Sequence, residues 1–137
     1  MTWSIFYGSL PELLLAAGGT LRMTAFAFVV AAVLGLVIAI LRLSGGIVGR
    51  LAFLYIELIR GIPALVLLFL IYFGLVPLGI VLGGFVAAVV ALGLNGAAYL
   101  AEVYRAGIQA VDSGQHEAAQ MLGMRRGQIM REITLPQ

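Results

Sequence analysis

Apolar residues run along this chain in long blocks with little polar alternation, and clusters of glycine, proline or arginine separate the blocks. From Met23 to Leu41, between Arg22 and Arg42, no residue carries a charge. A helix crossing the hydrocarbon layer needs about 20 such residues, so this block predicts a first membrane span over 23–41. The glycine-rich stretch from Arg42 to Arg50 then reads as a turn. From Gly61 to Ala101 charge is absent again. That run is too long for one helix, and Pro77-Leu78-Gly79 with Gly83-Gly84 divides it, predicting spans over 52–76 and 84–106. Pro63 leaves two starts open for the second span: a kink in a helix begun at Leu51, or the first turn of one begun at Ile62. Upstream, Leu10-Pro11-Glu12-Leu13-Leu14-Leu15 followed by Gly18-Gly19 predicts a short interfacial helix and a break. Residues 1–22 would thus lie at the bilayer surface, with Thr2, Trp3 and Ser4 at the membrane–water boundary.

The pattern changes after Ala110. Asp112 suits a helix N-cap, with Gln115 in the place of its capping-box partner. A helix is predicted from Ser113 to Leu122, with Gly123 as the left-handed residue that ends it. A second, from about Arg125 to Thr134, would stop before Pro136. Ala118 and Ala119 would leave one face slim, and Met121, Leu122 and Met124 offer adaptable apolar contact. Glu117, Arg125 and Arg126 would form a charged rim. By residue type alone, such a hairpin equally fits an amphipathic element resting on anionic headgroups.

Composition sharpens the class. Of 137 residues, 63% are hydrophobic and 10% charged, and the mean hydropathy is +1.13. Soluble domains carry roughly 25% charged residues. A soluble chain this apolar would expose large association-prone patches, so an all-α membrane protein is expected. The absence of cysteine excludes disulfides and thiolate sites, and the single histidine, His116, excludes a multi-histidine metal site. No catalytic constellation, cofactor motif or nucleic-acid-binding pattern is present, and the net charge is only +2. The N-terminus lacks the basic start and the small-residue cleavage site of a signal peptide.

Arginine placement predicts orientation. Arg42 and Arg50 flank the first loop, and Arg105, Arg125, Arg126 and Arg131 follow or end the third span. The positive-inside rule puts both regions in the cytoplasm and the N-terminus outside, with Arg22 the one dissenting charge.

Ionisable groups at membrane depth are scarce and usually face protein interior. Glu57 and Arg60, three apart, share a helix face and could neutralise each other structurally or meet a solute. Asn95, Tyr99 and Glu102 fall at i, i+4 and i+7, forming one polar stripe. It fits either a solute path, with Glu102 its strongest candidate, or hydrogen bonding to a neighbouring helix. Arg22 and Thr24 read as interfacial anchors, His116 as a solvated residue, and Phe26, Phe28, Phe53, Phe69, Phe73 and Phe85 as packing or lipid-facing groups.

The segment Glu117-Ala118-Ala119-x3-Gly123-x9-Ile133-x-Leu135-Pro136 resembles the EAA loop of ABC importer permeases. Glu57-Leu58-Ile59-Arg60-Gly61-Ile62-Pro63, Leu70-Ile71-Tyr72-Phe73-Gly74 and Leu94-Asn95-x-Ala97-Ala98-Tyr99-x-Ala101-Glu102 are similar to signatures of the polar amino-acid branch, the His/Gln/Arg/opine type. The resemblance extends from about Leu13 to Gln137. It implies three helices of a five-helix permease core, and on that reading the chain is an N-terminal fragment of its parent. It also implies a bacterial inner-membrane location and a role in ATP-driven import of polar amino acids. The implied partners are an ABC ATPase, a second permease subunit, identical or paralogous, and an extracytoplasmic solute-binding protein. The ATPase would dock on Glu117, Ala118, Ala119, Met121, Leu122, Gly123, Arg125 and Arg126. ATP hydrolysis would belong to that partner, since this chain has no Walker-type loop. A permease for another small solute, a small helical channel and a membrane-anchored interaction protein remain the alternatives.

Overall fold

The computed structural model describes residues 2–137, with side chains from Tyr7 onward. Every regular element is helical: α1 (Thr2–Leu43), α2 (Gly46–Gly61), α3 (Ala64–Gly74), a 3₁₀ turn (Val76–Leu78), α4 (Gly84–Ala110), α5 (Ser113–Met121), α6 (Arg126–Ile129) and a closing π-type turn (Met130–Thr134). α1 and α4 are each long and apolar enough to cross a membrane, and α2 with α3 forms a bent pair that makes a third span if counted as one.

α1 and α4 pack along most of α4, and small residues make this possible. Ala27, Ala31, Gly35 and Ala39 recur every fourth position on α1 and are all buried. Opposite them lie Gly93, Ala97, Ala98 and Ala101, also buried. A Cβ at Gly35 would stand 3.1 Å from the Ala97 carbonyl oxygen, and one at Gly93 would stand 2.6 Å from Val30 Cγ1. Glycine therefore sets how closely the two backbones approach, as it commonly does between membrane helices. Contacts climb in step from Phe26–Phe85 through Val30–Gly93 to Gly35–Leu100, so α1 and α4 run parallel. The chain between Leu43 and Gly84 must return across the same thickness.

That return is made by α2 and α3, bent by 102° at their junction. Pro63 causes the break. It has no N–H to continue the ladder, and it drives the preceding Ile62 into extended geometry (φ −97°, ψ 125°). The Ile62 N–H closes α2 onto the Ile59 carbonyl, and the Pro63 carbonyl opens α3 by accepting from Leu67. The span expected over 52–76, with a kink at Pro63 as one of its two readings, is thus two helices meeting at a corner. Both starts considered for it capture part of the truth, because α2 begins before Leu51 and α3 begins directly after Pro63. Tyr55 ties the corner to α4, its hydroxyl donating to the Leu94 carbonyl at 2.8 Å. Ile56 is buried beside Ala39 and Ala101, where the three helices meet.

The N-terminal region departs further from expectation. α1 is continuous through Pro11 and Gly18-Gly19, so the predicted break and the separate interfacial helix are absent. Two glycines weaken a helix by about 1 kcal/mol each, which a long flanking run of leucine and alanine absorbs. The Thr20 hydroxyl bonds the Ala16 carbonyl, one turn back across the glycine pair. At 1.5 Å per residue, 42 residues reach roughly 60 Å, about twice the hydrocarbon thickness. Pro11 to Arg22 are all exposed. The boundary role expected of Thr2, Trp3 and Ser4 rests on side chains outside the described residues.

Gly93→Val is expected to destabilise the helix pair by about 1–3 kcal/mol through overpacking, read as a lower unfolding midpoint in detergent. Gly18→Ala, where an added Cβ meets nothing within 4 Å, should be neutral or slightly stabilising in the same assay.

Candidate functional site

Two arrangements concentrate the polar chemistry. The first lies where α2 ends against α4. Glu57, Arg60 and Gly61 of α2 and Tyr99 of α4 line one open cleft. The Arg60 guanidinium carbon sits 5.3 Å from the centre of the Tyr99 ring, a cation–π distance. The mutual neutralisation expected of Glu57 and Arg60 is not formed: the one ion pair among the described residues is Glu102 with Arg105. Arg60 turns across to α4, and the aromatic face there competes for it.

Glu102 is accounted for differently. Arg105 Nε and Nη2 both donate to Glu102 Oε2, at 3.0 and 2.6 Å, and Nη1 donates to Gln109 Oε1. The carboxylate, strongest of the stripe's candidates by sequence, is therefore engaged on its own helix. Of the stripe, Tyr99 alone joins the cleft, while Asn95 makes no side-chain hydrogen bond among the described residues. Arg22 stacks over Phe85 at 5.5 Å and Arg42 over Phe53 at 4.6 Å, which anchors both arginines to aromatic rings at the two ends of α1's packed stretch.

The second arrangement is the knob formed by residues 112–137. The Asp112 carboxylate accepts from the Gly114 N–H at 2.6 Å, capping α5 as expected. Gln115 does not return the bond, because its side-chain oxygen accepts from Gln137 instead. At the other end Gly123 has φ 77°. The Met124 N–H reaches the Ala119 carbonyl and the Gly123 N–H that of Gln120, which together make a Schellman cap. The Arg125 N–H donates to Gln128 Oε1 and opens the second helix. That helix does not continue regularly to Thr134; it widens into a π-type turn from Met130.

His116 is not a solvated bystander. Its Nε2 lies 3.3 Å from Thr134 Oγ1, and its Nδ1 lies 3.4 Å from the Asp112 carbonyl. Thr134 is buried, so this bridge pins α5 to the end of the chain. No sequence signal joins residues eighteen positions apart in this way. Ala119 also changes role: it is 2% exposed and faces its own hairpin, leaving Ala118 on the outer surface. Its small side chain lets the hairpin close. Outward, Met121 is 90% exposed and Leu122 82%, beside exposed Glu117, Arg125 and Arg126. Thr134, Leu135 and Gln137 return to the bundle, facing Leu36 of α1 and Tyr104 and Ile108 of α4 across a shallow cleft.

Residues 31–137 match the family of binding-protein-dependent transport system inner membrane components. The chain belongs to this family. It is 42% identical over 130 residues to the probable amino-acid ABC transporter permease protein YckA of Bacillus subtilis (strain 168), covering 94% of this chain and 58% of that protein. Against the arginine transport system permease protein ArtQ of the same organism the identity is 39%, covering 93% and 59%. A solved crystal structure of an amino acid ABC transporter with histidines superposes with a TM-score of 0.80 at 43% identity, covering 96% of this chain and 64% of that one. The chain thus spans about three fifths of the length of these curated relatives. Family membership and the apolar helices together place this permease-family chain in an inner membrane.

Gly123→Ala should strain the Schellman cap by about 1–2 kcal/mol, because an L-residue must then hold a left-handed backbone. Faster amide hydrogen exchange confined to residues 113–124, with the exchange of α1 and α4 unchanged, is the expected reading.

Proposed function

We propose that the chain supplies the first spans and the coupling knob of the permease subunit of an ATP-driven importer for polar amino acids. Its spans correspond to 23–41, the bent pair Gly46–Gly61 with Ala64–Leu78 in place of 52–76, and 84–106. The N-terminus faces outside, and residues 112–137 face the cytoplasm. The observation that carries this reading is the exposure of Met121 and Leu122 on a hairpin held rigid at both ends. Two large apolar side chains standing clear of the bundle suit insertion into a groove of another protein, and Glu117, Arg125 and Arg126 around them suit orientation of that contact.

The partner is an ABC ATPase subunit, working with a second permease subunit, identical or paralogous, and an extracytoplasmic solute-binding protein. Movement of the ATPase would be transmitted through the capped hairpin as a rigid body, since its ends are tied by Asp112–Gly114, His116–Thr134 and Gln115–Gln137. Leu135 and Gln137, beside α1 and α4, would carry that motion to the spans and bias the bundle between two arrangements. The solute path runs along the α4 face bearing Asn95 and Tyr99, with Glu57 and Arg60 opposite. Glu102 holds the inner end of α4 through Arg105. The remaining docking candidates act indirectly: Gly123 shapes the hairpin, Ala119 packs it, and Ala118 keeps its outer face slim.

Leu122→Glu removes an apolar contact worth about 1.5–3 kcal/mol and should lower recovery of the ATPase with the permease at least about tenfold. Recovery equal to that of the unmodified protein would refute the docking role. Orientation is read separately, and the absence of native cysteine makes the reading clean. A membrane-impermeant maleimide should label Leu78→Cys on intact spheroplasts and Ser44→Cys only in inverted vesicles. The reverse pattern overturns the topology.

A further inference from the structure

The turn that joins α1 to α2 gathers positive charge without an acid beside it. From Leu13 to Ile56 the chain has no aspartate or glutamate, yet Arg42 stands in the last turn of α1 and Arg50 near the start of α2. Gly45 and Gly46 turn the chain with φ 72° and 62°. Buried Gly49 then abuts the Arg42 carbonyl, where an added Cβ would stand 3.1 Å away. Both arginines are thus held at one tight backbone contact. The Arg42 guanidinium lies over Phe53, and its buried Nε meets no acceptor. Arg50 is exposed, with neither hydrogen bond nor ion pair among the described residues. The acid that acts on Arg42 electrostatically, Glu102, already takes two bonds from Arg105. The first acid along α2, Glu57, follows Arg50 by two turns, roughly 10 Å.

Beside these cations runs an apolar stripe. Ile47, Leu51, Leu54 and Leu58 recur at steps of four, three and four, which places them on one face of α2. Each is more than half exposed, whereas Gly49, Ala52 and Ile56 on the other face are buried. Arg50 stands one turn before Leu54, at the edge of the stripe. The turn joins two helices of apolar sequence, which sets it at a headgroup layer whichever side of the membrane that is. An occupant that satisfies both features carries an anion at one end and a long apolar body behind it. A phospholipid of net negative charge has both. A zwitterionic lipid would bring its own cation beside two unpaired guanidiniums, and free phosphate would leave the stripe uncovered.

We propose that the α1–α2 turn binds an anionic phospholipid, with its phosphate held by Arg42 and Arg50 and an acyl chain lying along Ile47, Leu51, Leu54 and Leu58. Phe53 fixes the Arg42 guanidinium from one side, and the terminal N–H donors of both arginines serve the phosphate oxygens. The site shares no residue with the hairpin of residues 112–137 or with the cleft at Tyr99. It goes beyond the importer reading and requires neither that reading nor a chosen orientation.

The test titrates the purified full chain in detergent with phosphatidylglycerol or phosphatidylcholine of matched acyl chains, and counts bound lipid by native mass spectrometry. Phosphatidylglycerol should bind at least about tenfold more tightly. Arg42→Gln and Arg50→Gln should each weaken it about fivefold, the share of one arginine near an anionic headgroup, and leave phosphatidylcholine unchanged. Arg131→Gln, at an exposed position near the chain's end, should change neither. Arg50 is exposed and unpartnered, so its variant reads the site even where Arg42→Gln fails to fold. The chain has no native cysteine, so a spin label on Leu54→Cys reports the stripe alone. In phosphatidylglycerol bilayers it should be reached by oxygen and shielded from an aqueous nickel complex. Equal affinity for the two lipids overturns the proposal, as does phosphatidylglycerol binding untouched by both glutamine variants or weakened equally by Arg131→Gln. Displacement of phosphatidylglycerol by inorganic phosphate overturns it in favour of a free-anion site. A disulfide-linked dimer of Leu54→Cys overturns it in favour of a second copy on the stripe.

Discussion

Close approach of α1 and α4 is the constraint from which the rest of this molecule follows. Within a bilayer, burial of apolar surface gives little advantage, because lipid tails are as apolar as leucine. What remains is dispersion between well-fitted backbones, and that requires small residues on both sides. Ala27, Ala31, Gly35 and Ala39 supply them at every fourth position of α1, while Gly93, Gly96, Ala97 and Ala101 supply them on α4. The two helices are consequently parallel and in fixed register. Because they are parallel, the intervening chain must cross back, and the placement of α2 and α3 is decided before their own sequence is considered.

The corner at Pro63 converts that return into chemistry. An unbroken helix would carry Glu57 and Arg60 along a continuous cylinder whose ladder is satisfied throughout. The 102° bend instead ends α2 beside the middle of α4, with Tyr55 bonded to the Leu94 carbonyl and Arg60 over Tyr99. Non-helical backbone at membrane depth is tolerated where protein covers it or where it borders a cavity. Beside this corner the charged side chains of the last α2 turn open onto the cleft that Tyr99 shares. A break in the helix and a concentration of charge therefore coincide.

At the other end of α4 the polar hairpin is built by local rules rather than by membrane packing. The Asp112 cap, the Gly123 left-handed turn and the Gln128 bond to the Arg125 N–H satisfy the helix ends without help from the bundle. The longer-range bond of His116 to Thr134 then locks the hairpin's width. A rigid piece with Met121 and Leu122 outermost suits the docking role proposed for it. A flexible loop with the same residues would yield before it moved a helix.

Much of this was legible in the chain itself. The apolar blocks determined that helices cross a bilayer, because backbone polar groups have no other way to be satisfied there. Asp112 and Gly123 determined the ends of α5, because caps act within a few residues of where they stand. Family signatures such as Glu117-Ala118-Ala119 and Arg60-Gly61-Ile62-Pro63 carried the kinship. Only the tertiary structure decided the rest. Gly18-Gly19 looked like a break, yet the helix runs through, since propensity is a small local term that long apolar flanks outweigh. Glu57 and Arg60 looked paired by spacing, but the guanidinium lies over an aromatic ring about four turns into another helix. Ala119 and His116 looked outward, and both face their own hairpin. Spacing along a helix specifies which residues share a face. Which partner that face meets depends on where a different part of the chain has been brought, and no local pattern contains that information.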